Sequence, residues 1–187
     1  MFVTGPDVVK AATGEAISMD DLGGGLVHNA TSGVAHYLGE DEADAIDYAR
    51  TVLAYLPSSC EVEPPTFAYA ATRADRETAR ELVNIVPDND RQPYDVLDVI
   101  RRIVDYGEFV QVQELYAASA VVGFACIEGH PVGIVANQPK VNAGILDVNS
   151  SEKVARFVRL CDAFNLPVVT LVAVSYTHLR AHETSLH

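Results

Sequence analysis

Cysteine is scarce and odd in number: Cys60, Cys126 and Cys161 lie far apart in 187 residues. Such spacing excludes a disulfide frame or a cysteine metal site, and the three read as small buried apolar residues in a reducing cytoplasm. Basic residues are half as common as acidic ones, 13 against 26, for a net charge of −13. An isoelectric point near 4.7 argues against non-specific nucleic-acid binding, which needs a positive surface. Any anionic ligand would need a local basic or backbone-amide site against that field. Long apolar runs are missing too. The longest, such as Ser119–Ile127, fall well short of the ~20 residues of a membrane helix. The start, Met1-Phe-Val-Thr-Gly-Pro6, has no basic region followed by an apolar one, so it does not read as a signal peptide. No partner membrane or nucleic acid is therefore expected. If Met1 lies inside a longer gene, the true start is unseen.

What is present fits a soluble globular protein: 49% hydrophobic, 21% charged and mean hydropathy +0.11, long enough for one or two cores. The end is anomalous. After Leu166–Val172, a valine-rich strand, the composition changes abruptly over Ser175–His187, which holds three of the six histidines. That stretch reads as translated sequencing-adaptor sequence. The expectation is a piece of a larger protein, with 173–187 as a non-native tail.

Phe2-Val-Thr reads as a strand end, and Pro6 at a first helical position opens a short helix. Asp20–Gly25 reads as a flexible turn and Val27–Gly39 as a loop. A helix is predicted from about Asp41 to Leu56, with Ile46, Ala49, Leu53 and Leu56 as its apolar stripe. Five acids between Glu40 and Asp47 favour its positive end. From Pro57 to about Leu82 the pattern lapses through three prolines and the charged run Arg73–Arg80, a connector signal. Beyond it, residues 94–104 form an amphipathic helix with Val96, Val99, Ile100 and Ile103 on one side. Ala120–Ile127 and Val132–Ala136 are strands joined by a hairpin at Glu128–Pro131. Ser150 or Ser151 caps a further helix whose core face is Val154, Phe157, Cys161 and Phe164. The strand Leu166–Val172, dense in valine, is expected to be buried on both faces. Strand, strand, loop, helix, strand is an α/β order.

Familiar catalytic motifs are absent: no G-x-S-x-G elbow, no Walker loop, no H-E-x-x-H. His178 and His182 with Glu183 have helical metal-ligand spacing but lie inside the foreign-looking tail, so no metal is expected. Gly23-Gly24-Gly25 reads as a connector rather than a phosphate cradle, and the acids of Glu40–Asp47 as a solvated helix start. Two loops carry more weight. Asn29–His36 mixes small and polar groups around Gly33, which would let backbone approach a ligand. Val135–Pro139 ends a strand with two amides and a rigid proline, where α/β folds place ligands. Each is also readable as a structural turn with satisfied side chains.

These same segments carry a resemblance. Residues 1–10, Leu22-Gly-Gly, Ser32–His36, Tyr55–Pro57, Ile85–Pro87, Val132–Pro139, Asp147–Ser151 and Ala155–Asn165 occur in order. Together they resemble the carboxyltransferase (beta) subunit of biotin-dependent acyl-CoA carboxylases. The propionyl-CoA carboxylase beta type, and methylmalonyl-CoA carboxyltransferases and decarboxylases, are most similar in kind. The resemblance implies a crotonase-like (ClpP/crotonase) α/β fold in two domains, present in part. Residues 1–56 would end the first domain, 57–83 connect, and 84–172 open the second.

It also implies a cytoplasmic enzyme of acyl-CoA and fatty acid metabolism. Such an enzyme moves a carboxyl group from carboxybiotin to the α carbon of a short acyl-CoA, propionyl-CoA or acetyl-CoA. Biotin would ride on a partner carboxyl-carrier protein, ATP would serve only the partner biotin carboxylase subunit, and carboxyltransferase subunits would self-associate. The implied mechanism needs no side-chain nucleophile, because backbone N–H groups of glycine-rich turns stabilise the oxyanions. Both turns are expected outside residues 1–172, and Ala173-Val-Ser-Tyr stands where the family has D-x-P-G-F-x-P-G. No catalytic side chain is therefore expected here, and the isolated chain should be inactive. Ser32, Gly33, Val34, Ala35, His36, Gly133, Asn137, Gln138 and Pro139 are the expected walls of the acyl-CoA and biotin pocket. A crotonase-type hydratase or isomerase without biotin is the alternative.

Overall fold

The computed structural model describes residues 3–71, 77, 78, 80–87, 89 and 92–173. Its centre is a four-stranded sheet in the order β1-β2-β3-β4. β1 (Phe109–Val112), β2 (Ala120–Ile127) and β3 (His130–Asn137) form an antiparallel meander. β4 (Val168–Leu171) then lies parallel to β3, with Gly133 opposite Val168 and Ala136 opposite Leu171. A parallel return needs a crossover. It is made here by α5 (Val148–Ala163).

Alternation along the strands sorts the apolar residues to two faces. Val122, Phe124 and Val135 point to one, where Phe157 and Cys161 of α5 meet Tyr55 of α3 (Glu42–Tyr55). Val121, Ala125, Val132, Ile134 and Ala136 point to the other, against Val96 and Ile100 of α4 (Val96–Ile103). The result is helix on both faces of one sheet. The N-terminal part adds α1 (Pro6–Thr13), with Pro6 in its first turn, and α2 (Met19–Gly23). No described helix is long and apolar enough to cross a membrane.

The hairpin forms as expected, but tighter. Glu128 and Gly129 alone make the turn, with φ of 51° and 79°, the paired left-handed geometry of a two-residue turn. The carboxylate of Asp105 accepts from both turn N–H groups, Glu128 at 2.8 Å and Gly129 at 2.7 Å.

Several expectations need correction. β1 has no counterpart in the sequence reading. Asp20–Gly25 is not a flexible turn, because Ser18 Oγ caps α2 through the Asp21 N–H at 3.1 Å. Val27–Thr31 is a π-helical turn rather than loop. Val3 and Thr4 form a bend, not a strand end. On α3, Ile46 and Leu53 are exposed and so is Ala49. The helix packs instead by Val52 and Tyr55, and the expected Leu56 packs beside them at its C-cap, with Tyr48 reaching the Gln111 carbonyl at 3.0 Å.

The cap of α5 is Asp147, which accepts from the Ser150 N–H at 2.8 Å. Ser150 itself is fully buried and donates its hydroxyl to Asp147. Two of that helix's expected core residues, Phe157 and Cys161, are buried, whereas Val154 and Phe164 are only partly so. β4 is the outer strand here, and Val168 is exposed rather than buried on both faces. Cys60 is exposed, whereas Cys161 is buried. Residues 174–187, with His178, His182 and Glu183, lie outside the described residues, as does most of Arg73–Arg80.

Candidate functional site

The two loops singled out above reach the same structural element, the β1–β2 connection at residues 113–120. This loop turns without glycine, through the left-handed residues Gln113 (φ 53°) and Ala117 (φ 46°). Ser32–His36 docks on one end of it. The Gln113 N–H donates to the His36 carbonyl at 2.9 Å, and Gln113 Nε2 donates to the Gly33 carbonyl at 2.6 Å. Gly33 has φ +62°, and a Cβ there would sit 2.5 Å from the Tyr116 ring. The freedom of Gly33 thus admits a neighbouring tyrosine ring. At the far end of the loop, the Gln138 N–H donates to the Ser119 carbonyl at 2.8 Å.

Lys153 of α5 holds this loop from below. It is fully buried, and its three ammonium protons go to the carbonyls of Gln113 (2.8 Å), Tyr116 (2.7 Å) and Ala120 (2.8 Å). Burial pulls its pKa down to about 8, with the Glu114 carboxylate acting in the opposite direction. At neutral pH it is still an ammonium ion with every proton used. Gln113, Tyr116 and Lys153 were all missed in the sequence. Lys153 left a signal: it falls on the Phe157–Cys161 stripe of α5, a cation at an apolar position. Gln113 left none, because its partners are 80 residues away in Gly33 and 40 away in Lys153.

The remaining expected residues have defined structural places. Gly133 is inside β3, where a Cβ would collide with Cys161 Sγ. Asn137 donates to the carbonyls of Gly144 (3.0 Å) and Ala173 (2.7 Å) and accepts from the Ala173 N–H at 2.6 Å. Its amide thereby ties the ends of β3 and β4 together. Gln138 accepts from the Val96 N–H at 3.1 Å and donates to Asp95 at 2.8 Å. Burial works to raise the Asp95 pKa, but hydrogen bonds from Gln138, the Leu97 N–H and Lys140 outweigh it and hold the carboxyl below the usual value. Pro139 is half-buried, Ser32 and Val34 are exposed. The two amides read as candidate ligand contacts are thus both bonded within the fold.

His36 faces a cavity of about 580 Å³ that Tyr37, Asp44, Tyr48, Arg101 and Glu114 also line. Tyr37 and Tyr48 stack there at 4.0 Å and 4°. Tyr37 donates to both Asp44 oxygens, at 2.8 and 3.0 Å, and that bond is the main cause of its raised pKa. Burial pushes Tyr48 up to about 12. His36 is lowered, first by burial and then by the Arg156 charge, so its ring is neutral at pH 7. Among the described residues no three metal-ligating side chains converge. The arrangement is a braced main-chain framework beside a polar cavity, suited to positioning a bound molecule.

Replacing Gly33 with alanine is expected to cost about 1–2 kcal/mol, from left-handed strain plus the collision with Tyr116. Urea unfolding measures the loss. Unchanged stability would mean that the Gly33–Tyr116 approach is looser than described.

Comparison with known proteins places this geometry. Residues 1–175 match the model of the carboxyl transferase domain family. The propionyl-CoA carboxylase beta chain of Saccharopolyspora erythraea is 52% identical over 180 residues, 93% of this chain and 33% of that protein. The methylmalonyl-CoA decarboxylase subunit alpha of Veillonella parvula is 47% identical over 176 residues, 93% of this chain and 34% of that one. Among solved structures, the transcarboxylase 12S hexamer with methylmalonyl-coenzyme A and methylmalonic acid bound superposes with a TM-score of 0.86 at 43% identity. It covers 93% of this chain and 33% of its own. Such structural neighbours are crotonase-fold carboxyltransferases, and the chain covers only part of them. The chain spans about a third of the length of the curated relatives it matches.

Proposed function

This chain belongs to the carboxyl transferase domain family, and from that premise we propose that it is part of an acyl-CoA carboxyltransferase component. The component moves a carboxyl group from carboxybiotin to the α carbon of a short acyl-CoA, propionyl-CoA or acetyl-CoA. The observation that carries this reading is the 52% identity to a propionyl-CoA carboxylase beta chain across 93% of this chain.

Carboxybiotin, carried by a partner protein, supplies the activated carboxyl group. The residues of this chain fit a wall for such substrates rather than a chemical centre. The main chain of Ser32–His36 borders the cavity at His36, and the Asn137–Pro139 segment flanks the opposite end of the same braced loop. In this reading residues 1–56 end a first crotonase-like domain, 57–83 connect, and 84–172 open a second. Its partners are a biotin carboxylase subunit, where ATP acts, a biotin carboxyl-carrier subunit, and further copies of itself in the cytoplasm. The decarboxylase and transcarboxylase relatives support a second version of the reading, in which methylmalonyl-CoA is the carboxyl donor and biotin the acceptor.

A chimera tests the proposal. Residues 3–173 replace the matching third of the Saccharopolyspora erythraea beta chain, and the product is assayed with that organism's biotinylated carrier and propionyl-CoA. Transfer within ~10-fold of the parent, or ~1.4 kcal/mol of barrier, is expected. A chimera that assembles and melts like the parent but transfers no carboxyl group would overturn it. A crotonase-type hydratase would give no carrier-dependent product.

A further inference from the structure

A second pocket, of about 450 Å³, opens where α3, the connector and the β2–β3 turn meet, away from the loop at residues 113–120. Its lining is aromatic and acidic: Tyr55, Phe67 and Tyr106, with Asp105, Glu108 and Cys126. Tyr106 is held at φ 54°, a left-handed conformation that is strained for a non-glycine residue, and such outliers concentrate at binding sites. The residue is 59% exposed, and its ring is braced edge-on by Tyr69 at 5.5 Å. Phe67 and Tyr55 meet at 6.0 Å on the opposite wall. Tyr55 is itself buried and lines the pocket beside Phe67.

Among the described residues the charge of the pocket has one sign. Asp105 is anchored by two backbone N–H groups, and Glu108 is exposed with no salt bridge among the described residues. Burial first, and then the charges of Asp105 and Glu108, push the Cys126 thiol up to about 11. Burial, Cys126 and Glu108 push Tyr55 up to about 12. The fixed charges in the lining, the Asp105 and Glu108 carboxylates, repel a carboxylate or phosphate ligand. Aromatic faces beside a carboxylate attract the opposite kind of group.

We propose that this pocket binds an organic cation, an alkylammonium or guanidinium group, with Tyr55, Phe67 and Tyr106 as aromatic walls and Glu108 as counter-charge. The cation reaches it either as a free small amine or as a side chain of another polypeptide.

The full chain is titrated with choline, with N-acetyl-arginine amide, and with dimethylbutanol, the uncharged carbon isostere of choline. Amide shifts of Tyr106, Gly107 and Gly129 report occupancy. Saturable shifts with a cation, at least about 5-fold tighter than with the isostere, are expected from the loss of cation–π attraction. Glu108→Gln and Tyr106→Leu should each weaken the cation several-fold and leave the isostere unchanged. Tighter choline identifies a free amine and tighter arginine amide a polypeptide side chain; either supports the pocket. Equal affinity for the isostere, no shifts at these amides, or indifference to Glu108→Gln overturns it. Glu108 is exposed, so that variant remains decisive even if Tyr106→Leu alters folding.

Discussion

Replacing Lys153 with methionine should lower folding stability by about 3–5 kcal/mol. Methionine fills a similar volume, so packing changes little and the loss reports the hydrogen bonds. Three carbonyls, those of Gln113, Tyr116 and Ala120, would lose the fully buried ammonium group that now bonds all three. Removing a buried ion can be neutral when its partners leave with it. Here the partners are main-chain carbonyls and stay. Each unsatisfied group costs about 1–3 kcal/mol, and water entering the gap offsets part of that. Urea unfolding gives the total, and hydrogen exchange locates it: the amides of Gln113, Tyr116 and Ala120 should exchange faster than the sheet. A loss below about 1 kcal/mol would show that Lys153 fills space without bracing the loop.

The second large effect is expected at Gly133. Valine there should cost about 3 kcal/mol or more, the upper part of the range for overpacking. The Cβ alone would collide with Cys161 Sγ and meet Phe157 Cε1 at 3.1 Å, and both belong to a helix already seated on the sheet. The collision names its own control. Cys161→Ala removes the sulfur, so the double variant should be more stable than the sum of the two single losses by at least ~1 kcal/mol. Simple additivity would mean that α5 moves bodily away from β3, and that the close approach is not what makes glycine necessary.

Both predictions concern residues whose role was only half visible beforehand. Helices α1, α3, α4 and α5 and the β2–β3 hairpin were legible because their signals are local: spacing of apolar residues, a proline in a first turn, a glycine between two strand-like runs. The inward face of α3 was not, because Tyr48 and Tyr55 reach partners more than 60 residues away in β1 and β2, while Ile46 and Leu53 looked more apolar. β1 is four residues long and interrupted by Gln111, too short for alternation to declare it. At the candidate site, the two segments singled out in the sequence meet on one loop, but their side chains were misjudged. Asn137 and Gln138 looked like free amides at a strand end, yet long-range backbone groups consume both. Such pairing has no sequence period. The family was legible because it is carried by ordered strings rather than by periodicity.

The connector has a consequence for how this region tolerates change in length. Its Cys60 carbonyl accepts from Asn165 Nδ2 at 2.6 Å, and its Phe67 N–H donates to the Gly129 carbonyl at 2.8 Å. The six residues between these two tethers, 61–66, therefore bridge a gap whose endpoints belong to the sheet assembly. One inserted or deleted residue there would drag Phe67 off the hairpin tip and loosen the wall it shares with Tyr55. Natural insertions in relatives should accordingly avoid this short bridge.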